Sequence, residues 1–286
     1  MSVMSIDASG VHLTWTNPSS SPAFAKVKIL RALNAMPAGP TDSTATLVYS
    51  GAAMQVSDDL TQLLPHTATD PRSYFYVAYA CTQDDLCETQ GSSAKATPTI
   101  TQCLSAGGYT LFWRHASADV CSDATNLGPA SSAAVPDWWK SCDSNCPVGG
   151  GGTATARQLN ATGVMEATVI GLDMTTRGIP VGRVRSSEFC RCIKTAENMA
   201  FPAAIEQEQD LTYFVYDEAN RCAKSMAMLA EAPLPGTNTA HISHAGNVCP
   251  ILDQLAWGAA AIFKPNGAGG TTYIASVLSS EWLTLP

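Results

Sequence analysis

Two arginines and two histidines, on three separate stretches of the chain, have the types and settings to hold an anion. The apolar run 110–113, T-L-F-W, ends abruptly in adjacent Arg114 and His115. A short apolar run bounded by turn residues reads as a buried strand, and polar side chains at its C-terminal end lie where open α/β sheets place their ligands. A second strand, expected over 181–185, leads into Ser186 and Ser187, a good N-cap, and then a helix over 188–199 with Arg191 in its first turn. A guanidinium and the unpaired amides of a helix start can face the same anion. A third strand over 239–243 is followed at once by His244, in a turn that leads to a helix over 248–257. Singly, each of these residues serves packing as readily as chemistry. Converging at three strand ends, they have the signature of a site.

The elements that must position them begin at Gly107, where strands start to alternate with helices. Leu159, Gly163, Ala167, Ile170 and Met174 recur at steps of three and four, which predicts a helix over 153–177. Arg177-Gly178-Ile179-Pro180 supplies its basic last turn, C-terminal glycine and stopping proline. Segments 273–278 and 282–285 are expected to complete the edge of a mixed sheet. Residues 120–152 form an irregular insertion with Trp138, Trp139 and three cysteines, ending in four glycines. Loops this long in a compact domain are lids or are stapled in place. No Gly-Lys-Ser/Thr follows the glycines, so they are not a nucleotide P-loop, and a flexible hinge is the simpler account.

Residues 1–100 read differently. Segments 11–15, 25–31 and 74–79 alternate apolar and polar residues between Pro, Gly, Ser and Asp clusters, which predicts an antiparallel, immunoglobulin-like β-sandwich. Through L-T-W-T-N-P at 13–18, V-K-I-L-R at 27–31, L-V-Y-S-G at 47–51 and the Tyr-rich strand ending at Ala80, this third of the chain resembles a fibronectin type III domain. Cys81 and Cys87 flank the turn of an expected hairpin and should bridge it. His12 and His66 read as surface residues. The domain is expected to act as a spacer, or as a module that contacts a surface or carbohydrate, with 97–106 as the linker to a second domain over 107–286.

Composition narrows the function. The chain has 286 residues, net charge -8 and only 16 Lys and Arg, which argues against nucleic acid or an anionic membrane surface as partner. No apolar run approaches a membrane span. The start, M-S-V-M-S-I-D, has no basic region followed by an apolar core, so no signal peptide is visible. Ten cysteines in loop-like settings favour disulfides and a secreted or periplasmic protein. Zinc is the competing account of Cys190-x-Cys192 and Cys142-x3-Cys146, but no CxxC pair occurs and no histidine lies near either pair.

In this order, L-F-W-R-H-A at 111–116, S-E-F-C-R-C-I-K-T-A at 187–196 and I-S-H-A-G-N at 242–247 resemble the boxes of the histidine phosphatase superfamily, with Ala116 in place of the usual glycine. The resemblance implies a three-layer α/β/α, phosphoglycerate-mutase-like domain. It also implies that His115 attacks the substrate phosphorus while Arg114, Arg191 and His244 hold the phosphoryl oxygens, with no metal or other cofactor. The proton donor implied by position is Glu218, with Asp217 beside it; Asp119 is the alternative. Ala245 stands where another branch of the family has its donor. W-W-K-S-C-D at 138–143 and A-R-Q-L-N at 156–160 look most like lipopolysaccharide core heptose-phosphate phosphatases, which makes Arg157, Trp138, Trp139 and Asn247 candidate substrate-binding residues. His241 reads as a packed or second-tier histidine, and Cys192 as buried or bridged. The implied function is a metal-independent phosphomonoester hydrolase acting on a sugar phosphate or another small monoester. A phosphate-binding module without turnover and a phosphomutase are the alternatives.

Overall fold

The computed structural model describes residues 1–19, 24–123, 137–142, 156–245 and 249–285. The chain divides into two compact units, 1–106 and 107–285.

The first unit holds seven strands: β1 (Ser2–Asp7), β2 (Gly10–Thr14), β3 (Lys26–Leu33), β4 (Thr46–Gly51), β5 (Gln55–Asp58), β6 (Tyr74–Cys81) and β7 (Ser92–Ala96). They form two antiparallel sheets, ordered β1-β2-β5 and β4-β3-β6-β7. Alternation places Val11, Leu13, Ile29 and Tyr76 in the core. Asp58 of the smaller sheet accepts from Arg31 (2.5 Å) and Tyr76 Oη (2.8 Å) of the larger, a buried polar tie between the two. Replacing Asp58 with alanine leaves Arg31 buried without its counter-charge, at a cost of about 3–5 kcal/mol. Denaturant unfolding of the variant should show that loss, while Asp58→Glu recovers part of it.

The expected Cys81–Cys87 bridge is present. Residues 97–106, however, are not a plain linker. Thr99 and Gln102 form a reciprocal capping box, Thr99 N–H to Gln102 Oε1 at 2.9 Å and Gln102 N–H to Thr99 Oγ1 at 3.3 Å. Helix α1 (Ile100–Ala106) follows, burying Ile100, Cys103 and Leu104, and Gln102 Nε2 donates to the Ile6 carbonyl at 3.0 Å.

The second unit is built from β8 (Thr110–Arg114), α2 (Ala161–Thr176), β9 (Val181–Ser186), α3 (Cys190–Met199), β10 (Ile205–Gln207), α4 (Tyr213–Tyr216), α5 (Arg221–Leu229), β11 (Asn238–Ser243), β12 (Ala260–Pro265) and β13 (Thr271–Val277). One six-stranded mixed sheet runs β10-β9-β11-β8-β12-β13, its first four strands parallel, β12 antiparallel to β8 and β13 antiparallel to β12. Both faces of β8 are covered, which explains its continuous apolar run. Phe112 packs with Met228 and Leu229 of α5 and with Leu252 and Leu255 on one side. Trp113 points to the other, stacked on Trp282 with ring centroids 5.6 Å apart and near Phe201, which follows α3. Helix α2 packs on α3 so closely that a Cβ on Gly171 would come 1.9 Å from the Met199 carbonyl oxygen.

Three expected elements differ. Among the described residues the 153–177 helix begins only at Ala161, where Asn160 caps it through a bond from Gly163 N–H. The helix expected over 248–257 is a single 3-10 turn, Leu252–Gln254. Cys249 is bridged to Cys222, and Asp253 accepts from both Cys249 N–H and Arg221, so the chain is tethered there rather than free to wind. Segment 282–285 holds another 3-10 turn, Trp282–Thr284, which drops Trp282 onto Trp113 instead of extending the sheet.

Candidate active site

Strand pairing explains why residues more than a hundred positions apart meet. Parallel β8 and β11 place Arg114 opposite Ser243, so the next residue of each strand, His115 and His244, emerges at the same sheet edge. Their ring centroids lie 5.4 Å apart, and His115 N–H donates to the Ser243 carbonyl at 2.9 Å. Strand β9 flanks β11 on its other side, and Ser187 N–H continues the ladder to the Ile242 carbonyl at 2.9 Å. From there the chain enters α3, whose first turn carries Arg191.

His115 is 2% exposed. Its Nδ1 lies 2.8 Å from the carbonyl oxygen of Ala116. A carbonyl only accepts, so Nδ1 carries the hydrogen and Nε2 keeps a free lone pair. Burial, and then the positive charge of Arg191, Arg114 and Arg157, hold the ring's pKa well below 6.5. The imidazole is therefore neutral near pH 7, with a defined tautomer and a nucleophilic nitrogen.

The same three arginines surround it electrostatically. Arg114 Nη1 donates to the Leu255 carbonyl at 3.0 Å, and its guanidinium lies 5.5 Å from the Trp257 ring centre. Arg191, 2% exposed, stacks over Phe189 at 4.4 Å and donates from Nη1 to Asp123 Oδ1 at 3.0 Å. Arg157 holds that carboxylate too, through its amide at 2.9 Å and Nη2 at 3.6 Å. Among the described residues, the buried Nε–H groups of Arg114, Arg157 and Arg191 all lack a hydrogen-bond partner. Unpaired buried donors are rare in folded proteins, and three on cations beside one histidine mark a place for an oxyanion.

His244 is fixed from several directions. Its Nε2 meets Ser187 Oγ at 3.0 Å, Tyr213 Oη donates to its carbonyl at 2.6 Å, and Phe189 packs edge-on at 4.8 Å. Burial and Arg191 keep this ring's pKa well below 6.5 as well. Ser187, expected to cap a helix, is drawn off to this histidine, and the helix starts at Cys190 instead. Cys192 is an unbridged thiol 3.5 Å from His244 Nε2, and burial raises its pKa to about 12, so it is no nucleophile.

No family model matches the chain, and no curated protein does either. Solved structures are similar over about 60% of it. The protein histidine phosphatase SixA, complexed with tungstate, is 17% identical, with 60% of this chain and 98% of that one covered and a TM-score of 0.40. Mycobacterial hydrolase 1 is 11% identical, covering 60% and 97%, at a TM-score of 0.38. Phosphoserine phosphatase from Entamoeba histolytica, complexed with 3-phosphoglyceric acid, is 11% identical, covering 61% and 98%, at a TM-score of 0.37.

Other expected residues lie elsewhere. Glu218 is exposed in the turn before α5, and Asp217 is held by Asn220 and Lys224. Asp119 is exposed and accepts from Asn160 Nδ2 at 2.9 Å, beside the start of α2. Among the described residues neither carboxylate forms an ion pair with Arg114, Arg157 or Arg191. Trp138 and Trp139 are buried, Trp138 edge-on to Phe189 at 5.8 Å and Trp139 Nε1 donating to Glu188 Oε2 at 2.9 Å. The Cys142–Cys190 bridge fastens this short segment to the start of α3. Thus both indoles brace the loop that carries Phe189. His241 is packed, as expected, with both ring nitrogens unpartnered and its pKa lowered to about 3 by burial and by Arg185 and Arg183. Asn247 lies outside the described residues.

Two residues that bond to this cluster were not singled out by their sequence setting. Asp123 sits in the irregular insertion with no periodicity around it, so nothing local marks it. Thr195 accepts from Ala116 N–H at 3.0 Å and donates to the Arg191 carbonyl at 2.7 Å, tying the His115 loop to the helix of Arg191. Its place in the 187–196 box was the available signal.

Proposed function

We propose that this chain is a metal-independent phosphomonoester hydrolase that works through a phosphohistidine on His115. The observation that carries the proposal is the free Nε2 of a neutral, Nδ1-anchored imidazole beside three arginines with buried, unpaired Nε–H groups. Nε2 attacks phosphorus without first losing a proton, and the guanidinium groups neutralise the equatorial oxygens as charge spreads over them. His244, also neutral, donates a hydrogen bond to the same group. The resemblance of the three sequence boxes to the histidine phosphatase superfamily supports this reading.

A sugar phosphate or another small monoester is the proposed substrate class. The two-sheet arrangement of residues 1–106 supports the fibronectin type III-like reading, as a spacer or surface-contacting module. The bridges Cys81–Cys87, Cys142–Cys190 and Cys222–Cys249 support export to an oxidising compartment. Among the described residues no helix is long and apolar enough to cross a membrane.

The test is a screen with p-nitrophenyl phosphate, sugar phosphates, nucleotides and phosphopeptides, run with and without a chelator. Since arginines supply the positive charge, release of inorganic phosphate should be the same in both arms. Activity that disappears with chelator and returns with a divalent cation would sink the mechanism.

A further inference from the structure

We infer that Asp123 is the general acid and base of this site, protonating the leaving oxygen and later accepting a proton from the attacking water. The inference rests on the phosphohistidine reading above. Two carboxylates placed by sequence position, Glu218 and Asp119, lie in exposed turns with other surroundings. Glu188 is near the loop of Phe189, but Trp139 and Tyr216 bind its Oε2 and Lys140 lies 3.4 Å from its Oε1. Asp123 alone among the described carboxylates bonds to the site arginines, through Arg191 Nη1 at 3.0 Å and the Arg157 amide at 2.9 Å.

Its position is built, not incidental. Val120 and Gln158 exchange backbone hydrogen bonds of 3.3 and 2.7 Å, pinning this loop to the segment that carries Arg157. Cys121 is disulfide-bonded. The Asp123 side chain is only 14% exposed.

A phosphoryl group competes with the Asp123 carboxylate for the Arg191 guanidinium, which places Asp123 beside the bound substrate.

The step balances as follows. His115 Nε2 forms a bond to phosphorus while the bond from phosphorus to the leaving oxygen breaks. The electron pair goes to that oxygen, which takes the proton from Asp123 and departs as an alcohol. Water then attacks the phosphohistidine, Asp123 accepts its proton, and the pair in the N–P bond returns to Nε2. Inorganic phosphate leaves, and both groups regain their starting states.

The experiment compares the full chain with Asp123→Asn, Asp123→Glu and His115→Ala, using p-nitrophenyl phosphate and an alkyl phosphate such as glycerol phosphate. It reads kcat/KM, which reports the steps through enzyme phosphorylation. Asp123→Asn should lose on the order of 10²–10⁴-fold with the alkyl phosphate, the usual worth of a general acid, and at least about ten-fold less with p-nitrophenyl phosphate, whose phenolate needs little protonation. Asp123→Glu keeps the acid and should recover part of the alkyl phosphate rate, which guards against an Asn variant that fails to fold. Inorganic phosphate should inhibit Asp123→Asn more tightly, because its internal competitor is gone. Equal losses on both substrates, with His115→Ala inactive, would overturn the assignment and leave the phosphatase reading standing. An active His115→Ala would overturn both.

Discussion

Replacing His115 with alanine should lower turnover of p-nitrophenyl phosphate by at least about 10⁴-fold, and no labelled phosphate should remain on the denatured variant after rapid quenching. The size follows from what is removed. In the proposed mechanism Nε2 is the atom that bonds phosphorus, and water in the vacated space would have to attack without its orientation or its lone pair. The contrast is His244→Ala, which keeps the nucleophile and loses a partner for the phosphoryl oxygens. Its loss should be on the order of 10²–10³-fold, the cost of one preorganised donor, with the phosphoenzyme still trapped on quenching. The two histidines are neighbours of similar burial, so a merely structural explanation would make their losses alike. Equal defects, with label retained in both variants, would disprove the division of roles. Thermal unfolding of both proteins should show native-like transitions, since each substitution also removes a buried polar group and leaves the sheet pairing intact.

What could be read from sequence, and what could not, follows from range. Arg114, His115, Arg191 and His244 were legible because each sits at the C-terminal end of a strand or within five residues beyond it, and strand ends in an open sheet share an edge. The parallel register of β8 and β11 then turns sequence position into proximity. Asp123 had no such marker: its partners lie 34 and 68 residues away, in an insertion without period. For Glu218 and Asp119 the family position suggested a role, but local partners and solvent decide where a flexible carboxylate points. The helix at 248–257 failed for a similar reason. The Cys222–Cys249 bridge and the Arg221–Asp253 pair impose a tether there that residue pattern cannot show. At 97–106 the signal was present: Thr99 and Gln102 make a capping box, and the amphipathic segment after it folds onto the first unit. In that unit the long alternating strands were plain, whereas β5 and β7 are short and largely exposed, so their composition resembles that of the loops around them.

The second large effect is a loss of stability in mild acid. His115, His241 and His244 are buried and neutral, His241 with a pKa near 3 and the other two well below 6.5. Burial is the leading cause for each, followed by nearby arginines: Arg191 for His115 and His244, Arg185 and Arg183 for His241. In the unfolded chain all three bind protons near pH 6.5, while the folded protein does not. Below pH 6.5 the unfolded state therefore holds more protons, and stability must fall as pH falls, by about 1.4 kcal/mol per pH unit for each histidine. The penalty is absent above pH 6.5 and continues down toward pH 3 for His241. At pH 4.5, two units lower, His241 alone contributes about 2.7 kcal/mol, a sizeable share of the stability of many domains, and His115 and His244 act in the same direction. Urea unfolding of the full chain between pH 7.5 and 4.5 should show this slope, before most carboxylates begin to protonate. His241 separates stability from chemistry, because it lies in the packed interior of β11 and touches neither substrate nor arginine pocket. Substituting it with methionine removes two unpartnered buried nitrogens along with one titrating site. The slope should fall by the His241 share, about 1.4 kcal/mol per pH unit, stability at pH 7.5 should hold or rise, and kcat should change little. If His241→Met leaves the slope untouched, the acid sensitivity has another source, and the neutral burial of that histidine is not what limits the fold.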